Sequence, residues 1–313
     1  MNEFEFIRRI AGIEQHKCPF VEYGIGDDCA VFDAGGTKFL ITTDTLVEEV
    51  HFDVDDDPAL IGRKILAVSI SDVAAMGGKP LFAVVTSSMS PDRFNEKSEK
   101  ILRGIFNYAK KSEIQIIGGD TTGFKPGTDG MVFTLTLIGK MDDGVAPVMR
   151  NSAKIGDLIA VTGNLGGSLI SKRHLNFTPR VPEGTFLAKF GVSSMLDVSD
   201  GLSGDLGHIL EQSIVGAKIY EEKIPVSDAA IAHSRKTEQP VWVHALNDGE
   251  DFELLLTFPA SKRDDLVDSW DFATELSIIG EIVEQSEGYK IQLANGQRID
   301  VRAGSFDHFN RNT

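Results

Sequence analysis

Four short segments of the chain place aspartates at the edge of an apolar stretch, beside glycine, serine or threonine. They are Gly26-Asp27-Asp28, Thr42-Thr43-Asp44, Gly118-Gly119-Asp120 and Asp197-Val198-Ser199-Asp200. Two carboxylates about 4 Å apart repel by roughly 4 kcal/mol at an effective dielectric constant near 20, so several that converge need a cation. Carboxylate and hydroxyl oxygens suit Mg²⁺, which also shares phosphate oxygens. The four segments together favour a site for Mg²⁺ and phosphate groups.

Each segment also has an ordinary structural explanation. Aspartate and glycine are common turn residues at strand ends, and Ser199 or Asp200 could cap the helix that follows. The glycine-rich segment 162–168 leaves a similar choice, because it could present backbone amides to a phosphate or form a plain strand-to-helix turn. Cation binding therefore depends on whether the fold brings the four segments together.

Three further residues lie where their side chains need an explanation. His51, in Val50-His51-Phe52, is either a half-buried histidine at a strand edge or a substrate contact. Glu250 is a charge close to the apolar run 254–256, although a turn followed by a strand explains most of that segment. Phe306 belongs to a polar tail that would normally fray, so its aromatic ring suggests docking onto the body, against a flat ligand.

Composition excludes several functional classes. The 313 residues include 31 Lys+Arg and 47 Asp+Glu, a net charge of −16 that argues against a nucleic-acid partner. No apolar run is long enough for a membrane span, and the acidic start does not resemble a secretory signal, so we expect a cytoplasmic protein. Neither the phosphate-binding pattern G-x-x-x-x-G-K-[ST] nor the zinc protease pattern H-E-x-x-H occurs.

The hydrophobic pattern predicts an α/β fold of mixed type. Strands are expected over 38–45, 81–89, 114–120, 131–140, 158–162, 195–198, 252–258 and 276–283, and helices over 61–76, 94–111 and around 202–210. Ser90-Pro91 is expected to cap the second helix and supply its first residue. The connection 144–156 suggests two domains, residues 1–150 and residues 151–313.

In this order, the motifs resemble those of the thiamine-monophosphate kinase family, which belongs to the superfamily of aminoimidazole ribonucleotide synthetase and selenophosphate synthetase. The match extends from Gly24 to Phe309 and includes Ser71-Asp72-Val73-Ala74-Ala75-Met76-Gly77 and Gly249-Glu250-Asp251-Phe252-Glu253-Leu254. The resemblance implies ATP-dependent phosphorylation of thiamine monophosphate to thiamine diphosphate. It also implies a two-domain fold whose N-terminal sheets pair across a homodimer, with no membrane or nucleic-acid partner.

The resemblance further implies roles for individual residues. Metal ligands for Mg²⁺ would be Asp28, Thr42, Thr43, Asp44, Asp72, Asp120, Asp197 and Asp200. ATP contacts would be Gly119, Asp120, Arg150 and Ser199, and substrate contacts would be His51, Glu250 and Phe306. The attacking phosphate oxygen is already ionised, so no general base is required, and Asp72, Asp120 and Asp200 would organise the transfer.

Two alternatives remain open. One is a sibling enzyme of the same superfamily that transfers phosphate from ATP to another acceptor. The other is a non-catalytic module that binds nucleotide, which would bind its ligands without releasing ADP.

Overall fold

Two mixed β-sheets, each packed against helices, make up the part of the chain that the computed structural model describes, residues 6, 7, 9, 10, 12–125 and 127–301. The first sheet contains β1 (Val21–Tyr23), β2 (Ala30–Ala34), β3 (Thr37–Val47), β4 (Lys79–Met89), β5 (Gln115–Gly123) and β6 (Met131–Lys140). Its spatial order is β1-β2-β3-β6-β4-β5, and only β4 and β5 run parallel among these described strands. Its helices are α1 (Pro58–Ala75) and α2 (Glu96–Lys111).

The second sheet follows along the chain. It contains β7 (Asp157–Thr162), β8 (Ser194–Asp197), β9 (Gly216–Tyr220), β10 (Leu254–Pro259), β11 (Leu276–Val283), β12 (Tyr289–Gln292) and β13 (Arg298–Asp300), in the order β13-β12-β9-β11-β7-β10-β8. Helices α3 (Val181–Phe190), α4 (Leu202–Ser213), α5 (Asp228–Thr237), α6 (Val241–Asn247) and α7 (Arg263–Ser269) accompany it. The mixed α/β class predicted from the sequence is thereby confirmed.

Residue 150 lies in the connection between the sheets, where Arg150–Ser152 form one 3₁₀ turn. The division into residues 1–150 and 151–313 stays a prediction. Among the described residues, one hydrophobic cluster is centred on α1 and β6 and another on β7, β10 and α4, and a third includes Ala75 of α1 together with residues of β7, β10 and α3.

Helix α1 positions the site because it contacts both halves of the chain. Asp57 caps its first turn by accepting a hydrogen bond from the Ala59 amide, and Pro58 supplies the first helical residue. The helix packs on β3, β6 and α2 of the first half and on α3 and β8 of the second. At Gly62, a Cβ atom would lie 2.1 Å from the Ile101 carbonyl oxygen, so α2 can approach this closely only because position 62 has no side chain.

Helix α2 begins later than the sequence pattern predicted. Pro91–Arg93 form a single 3₁₀ turn, and the helix starts at Glu96 because the Asn95 side chain accepts from the Lys97 amide while Ser98 reciprocates. As a result Phe94 lies outside the helix and 73% of it is exposed. The predicted strands 131–140 and 276–283 have the expected bounds. Within the described residues, no helix has the length and apolarity required to cross a membrane.

Candidate functional site

Three aspartates from distant parts of the chain meet at the junction of the two halves. Asp28 precedes β2, Asp72 lies in the last turn of α1, and Asp197 is the last residue of β8. One carboxylate oxygen from each lies within 4.8 Å of the other two. Three of the four acidic segments singled out in the sequence contribute to this area. Two of them supply Asp28 and Asp197, and the third supplies Asp44, which β3 carries on the face that packs against α1.

Hydroxyl groups hold these carboxylates in place. Thr42 donates to Asp72, Ser71 donates to Asp197, and Ser69 donates to Asp44 at 2.6 Å. Thr42 and Asp44 are two residues apart on β3, so both point to the helix-covered face of the sheet. The carboxylates therefore have fixed orientations in the absence of any ligand.

Burial and mutual repulsion raise the pKa values of this cluster. Burial, followed by the charges of Asp44, Asp197 and Asp28, raises the pKa of Asp72 well above its ordinary value. Burial, and then the charge of Asp28, raises the pKa of Asp197 to about 7. The Asp28 Oδ2 atom is buried without a hydrogen-bond partner among the described residues. Such an unpartnered carboxylate oxygen facing other carboxylates is the environment a hard cation requires.

Arg150 is the main positive charge beside the cluster. Its guanidinium donates to Asp28, and its backbone amide donates to Asp27 Oδ2 at 3.0 Å. Burial and the neighbouring Asp28 raise the pKa of Asp27 to about 6. Arg150 thus neutralises one edge of the cluster and leaves the side facing Asp72 and Asp197 without a paired cation among the described residues.

A second acidic group follows β8. Asp200 lies beside Asp205 and His208, with one ligand atom of each within 4.8 Å of the others. The Asp200 amide donates to Asp205 Oδ2 at 3.1 Å, and burial followed by the charge of Asp200 raises the pKa of Asp205 well above its ordinary value. Ser199, also half-buried, accepts a hydrogen bond through its carbonyl from the Glu250 amide at 2.6 Å.

Glu250 and His51 meet at the ammonium group of a buried lysine. Lys64 of α1 donates to the His51 carbonyl oxygen at 2.7 Å and to the Glu250 carboxylate. The Lys64 side chain is 1% exposed, and burial lowers its pKa despite the nearby carboxylate. The His51 ring accepts the Val47 amide through Nδ1 at 3.0 Å, which places its proton on Nε2. The structure therefore brings two of the three predicted substrate contacts, His51 and Glu250, to one place.

The glycine-rich segment after β7 anchors the loop that carries Glu250. The Gly166 amide donates to Asp251 and the Gly167 amide donates to Asp248, each at 2.8 Å. Arg173 adds a charged contact to Asp251. Because carboxylates of the chain itself accept hydrogen bonds from the Gly166 and Gly167 amides, these two amides are not available to a phosphate group. The segment therefore has a structural role.

Three predicted site residues lie away from the carboxylate cluster, and two of them, Thr43 and Asp120, lie on the opposite face of the first sheet. Thr43 is exposed and hydrogen-bonds Thr136 through their hydroxyl groups at 3.0 Å. Gly119 and Asp120 are exposed on the edge strand β5, and Asp120 is in register with Thr86 of β4. The single chain does not bring these three residues to the carboxylate cluster, and Phe306 lies outside the described residues.

Family models for the AIR synthase related protein, N-terminal domain, and for its C-terminal domain match residues 26–141 and 154–291. The thiamine-monophosphate kinases of Buchnera aphidicola subsp. Acyrthosiphon pisum (strain APS) and Escherichia coli (strain K12) are 35% and 34% identical over 329 residues. Each alignment covers 98% of this chain and 98% of the relative. The chain belongs to the thiamine-monophosphate kinase family.

A solved structure of one family member has bound ligands. AaThiL complexed with AMPPCP and TMP matches with a TM-score of 0.83 and 28% identity, covering 98% of this chain and 97% of that chain. This chain therefore shares the fold of that family member over nearly its whole length.

Several polar residues of the site received no role from the sequence, among them Lys64, Asp27 and Asp205. Lys64 was detectable as the one lysine between Ile61, Ile65 and Val68 on the apolar side of a predicted helix. Asp27 belongs to one of the four acidic segments but was given no role of its own. Asp205 gave no comparable signal, because an acidic residue in the first turn of a helix is common.

The raised pKa values predict how stability changes with pH when no divalent cation is bound. The pKa of Asp197 rises from its ordinary value of 3.8 to about 7 in the folded state. Between pH 3.8 and about pH 7, the folded state therefore retains a proton that the unfolded state has lost. Stability must then fall as pH rises through this window. In EDTA, we expect the melting temperature at pH 8 to be roughly 2–5 °C below that at pH 5.5.

Two substitutions test the origin of this effect. Asp197→Asn removes the titrating group, and we expect it to shrink the difference between pH 5.5 and pH 8. Asp268→Asn removes an exposed carboxylate of α7 and should leave the difference as in the wild type. An Asp197→Asn protein with the full wild-type pH dependence would show that Asp197 does not cause it.

Proposed function

We propose that this chain phosphorylates thiamine monophosphate with ATP to give thiamine diphosphate and ADP. A phosphate oxygen of thiamine monophosphate attacks the γ-phosphorus of ATP, a P–O bond forms, and the bond to the bridging oxygen of ADP breaks. The observation that carries this proposal is the buried cluster of Asp28, Asp72 and Asp197 in a chain whose relatives are named thiamine-monophosphate kinases. Its AaThiL relative was solved with AMPPCP and TMP.

The carboxylate cluster fits Mg²⁺. All its donors are oxygens, several of the carboxylates have raised pKa values, and Asp28 Oδ2 has no hydrogen-bond partner among the described residues. Asp28, Asp44, Asp72 and Asp197 would hold the ions, with Thr42 and Asp200 beside them. Bound Mg²⁺ supplies positive charge that offsets the repulsion between two anionic substrates.

Arg150 orients a phosphate group in this proposal. Its fork of donors matches phosphate oxygens, and it lies beside the cluster, with 22% of the side chain exposed. With the cluster charge neutralised, Asp28 no longer depends on Arg150 as its counter-ion. The guanidinium then has donors for ATP.

Glu250 and His51 hold the acceptor. The carboxylate of Glu250 complements a cationic ring, and Lys64 joins the two residues by donating to that carboxylate and to the His51 carbonyl oxygen. Lys64 and Asp72 are eight positions apart on α1, a rise of about 12 Å. The helix thus separates a region for the organic part of the acceptor from a region for phosphates. The nucleophile is an ionised phosphate oxygen, so no side chain has to remove a proton.

A homodimer completes the proposal by covering the open face of the first sheet. That face carries Thr43, Asp120, Val84 and the pair Thr45–Thr134, whose hydroxyl groups lie 2.9 Å apart. Val84, on β4 next to the edge strand β5, is 37% exposed. A second copy of the chain would bury this face and enclose Gly119 and Asp120, which offer ATP and metal contacts that the single chain leaves in solvent.

The reaction is tested with purified protein, ATP, Mg²⁺ and thiamine monophosphate, by chromatography of ADP and thiamine diphosphate. We expect equal amounts of both products, and neither when EDTA is added or when free thiamine replaces the acceptor. Asp72→Asn should lower kcat at least about 100-fold because the cluster loses a central ligand.

The same Asp72→Asn protein should remain folded, since it removes a charge that its neighbours repel. A melting temperature equal to or above that of the wild type in EDTA is the control. ADP formation without thiamine diphosphate would indicate a sibling acceptor. Binding of ATP and thiamine monophosphate without ADP formation would indicate a nucleotide-binding module. Wild-type turnover by Asp72→Asn would contradict the proposed shared metal site.

The acceptor residues are tested by separating KM values. Glu250→Ala should raise the KM for thiamine monophosphate at least about tenfold while changing the KM for ATP much less, because thiamine monophosphate is the one of the two substrates that contacts Glu250 in this proposal. Lys64→Met should act in the same direction through the loss of its contacts to Glu250 and His51. An unchanged acceptor KM in Glu250→Ala would remove this residue from the site.

The dimer is tested by light scattering after size-exclusion chromatography. We expect a mass of two chains for the wild type and of one chain for Val84→Arg, because that change places a charge in the covered face. Val267→Arg is the matched control, since Val267 is exposed on α7 away from this face. A wild-type mass of one chain would contradict the dimer.

A further inference from the structure

We infer that the chain carries a second cation site, formed by His233, His244 and Asp248, that binds a divalent transition metal such as Zn²⁺. His233 lies on α5, His244 lies on α6, and Asp248 directly follows α6. One ligand atom of each lies within 4.8 Å of the other two. Two imidazoles and one carboxylate suit Zn²⁺, whereas Mg²⁺ prefers oxygen ligands alone.

The hydrogen bonds around His244 leave one nitrogen directed at Asp248. The Thr237 hydroxyl lies 3.3 Å from the His233 carbonyl oxygen, and its oxygen lies 2.8 Å from His244 Nε2. When Thr237 donates to that carbonyl, Nε2–H donates to Thr237 and Nδ1 retains its lone pair; in the other tautomer Thr237 donates to Nε2, and Nδ1 carries a proton that a metal ion would displace. That nitrogen lies 3.0 Å from Asp248 Oδ1, and two electron-pair donors at this separation require a proton or a metal ion between them.

His233 supplies the third donor. Its Nδ1 atom is buried and has no hydrogen-bond partner among the described residues, although the residue as a whole is only half-buried. The rings of His233 and His244 lie 4.4 Å apart between centroids. An imidazole nitrogen without a partner next to a histidine–aspartate pair is the environment of a metal ligand.

Neighbouring groups hold two of the ligands from behind, as is usual at metal sites. The Thr237 hydroxyl is hydrogen-bonded to the far nitrogen of His244, and the Gly167 amide donates to Asp248 Oδ2 at 2.8 Å. Tetrahedral Zn²⁺ with bonds of about 2.1 Å places its ligand atoms roughly 3.4 Å apart. Binding therefore requires the ligand atoms to move closer to one another by about 1.5 Å at most, and rotation of the half-buried His233 ring can provide this movement. A water molecule would complete the coordination.

The site differs from the carboxylate cluster in ligand chemistry and shares no residue with it. It connects α5 to the end of α6, two residues before Glu250. A bound ion would join α5 to the loop that presents Glu250, and so would raise the thermal stability of this part of the chain.

The test is calorimetric titration with Zn²⁺ in millimolar Mg²⁺, which occupies the oxygen ligands of the carboxylate cluster. The protein carries Cys18→Ser and His16→Ala, because both residues are exposed and could bind Zn²⁺ adventitiously. We expect one Zn²⁺ per chain in this background. Adding His233→Ala should abolish binding or weaken it at least about tenfold.

Two further measurements separate this site from an imidazolium held by Asp248. Zn²⁺ should raise the melting temperature of the background protein and not that of the His233→Ala protein. Co²⁺ should give visible absorption bands of a nitrogen-containing site that are absent in His233→Ala. Absence of Zn²⁺ binding by the background protein, or equal binding after His233→Ala, would overturn the proposal.

Discussion

Mutual repulsion among buried carboxylates is the constraint on which the rest of the structure depends. Asp28, Asp72 and Asp197 come from different elements of the two halves, and their separation is set by the packing of those elements. Asp72 and Asp197 would be more stable protonated or farther from the other carboxylates, as their raised pKa values show. The hydrophobic clusters on both sides supply the free energy that holds them together.

Helix α1 transmits this packing to both ends of the site. It carries Lys64 near one end and Asp72 near the other, and it is buried between elements of both halves. Close approach is possible because Gly62 faces α2 and Gly184 faces the carbonyl of Ala74, where a Cβ would lie 2.1 Å from the oxygen. The position of the acceptor region relative to the phosphate region is thus a property of one rigid helix.

The sequence predicted regular elements well where hydrophobic period and length agreed, as in β6 and β11. It predicted the start of α2 wrongly because Ser90-Pro91 resembles a cap, while Asn95 and Ser98 provide the actual one. Acidic segments near Asp28, Asp44 and Asp197 were found because charge beside apolar strands is unusual. The resemblance placed both Thr42 and Thr43 at the metal. In the fold these neighbours on β3 lie on opposite faces of the sheet, as strand alternation requires: Thr42 donates to Asp72, whereas Thr43 is hydrogen-bonded to Thr136. Lys64 was missed because a single charged residue in an apolar helix has many ordinary explanations.

The loop after α6 contains two residues whose backbone conformation favours glycine. Glu250 has φ of 54° and Phe252 has φ of 51°, both in the left-handed region. Such residues cost of order 1–3 kcal/mol each. At position 250 a glycine would fit the backbone better than the glutamate that the proposed function needs. Stability therefore makes opposite demands at this residue, because the backbone favours glycine whereas the buried Lys64 ammonium needs the Glu250 carboxylate beside it. A lineage that no longer used the acceptor would be free to lose this side chain only if Lys64 were replaced as well.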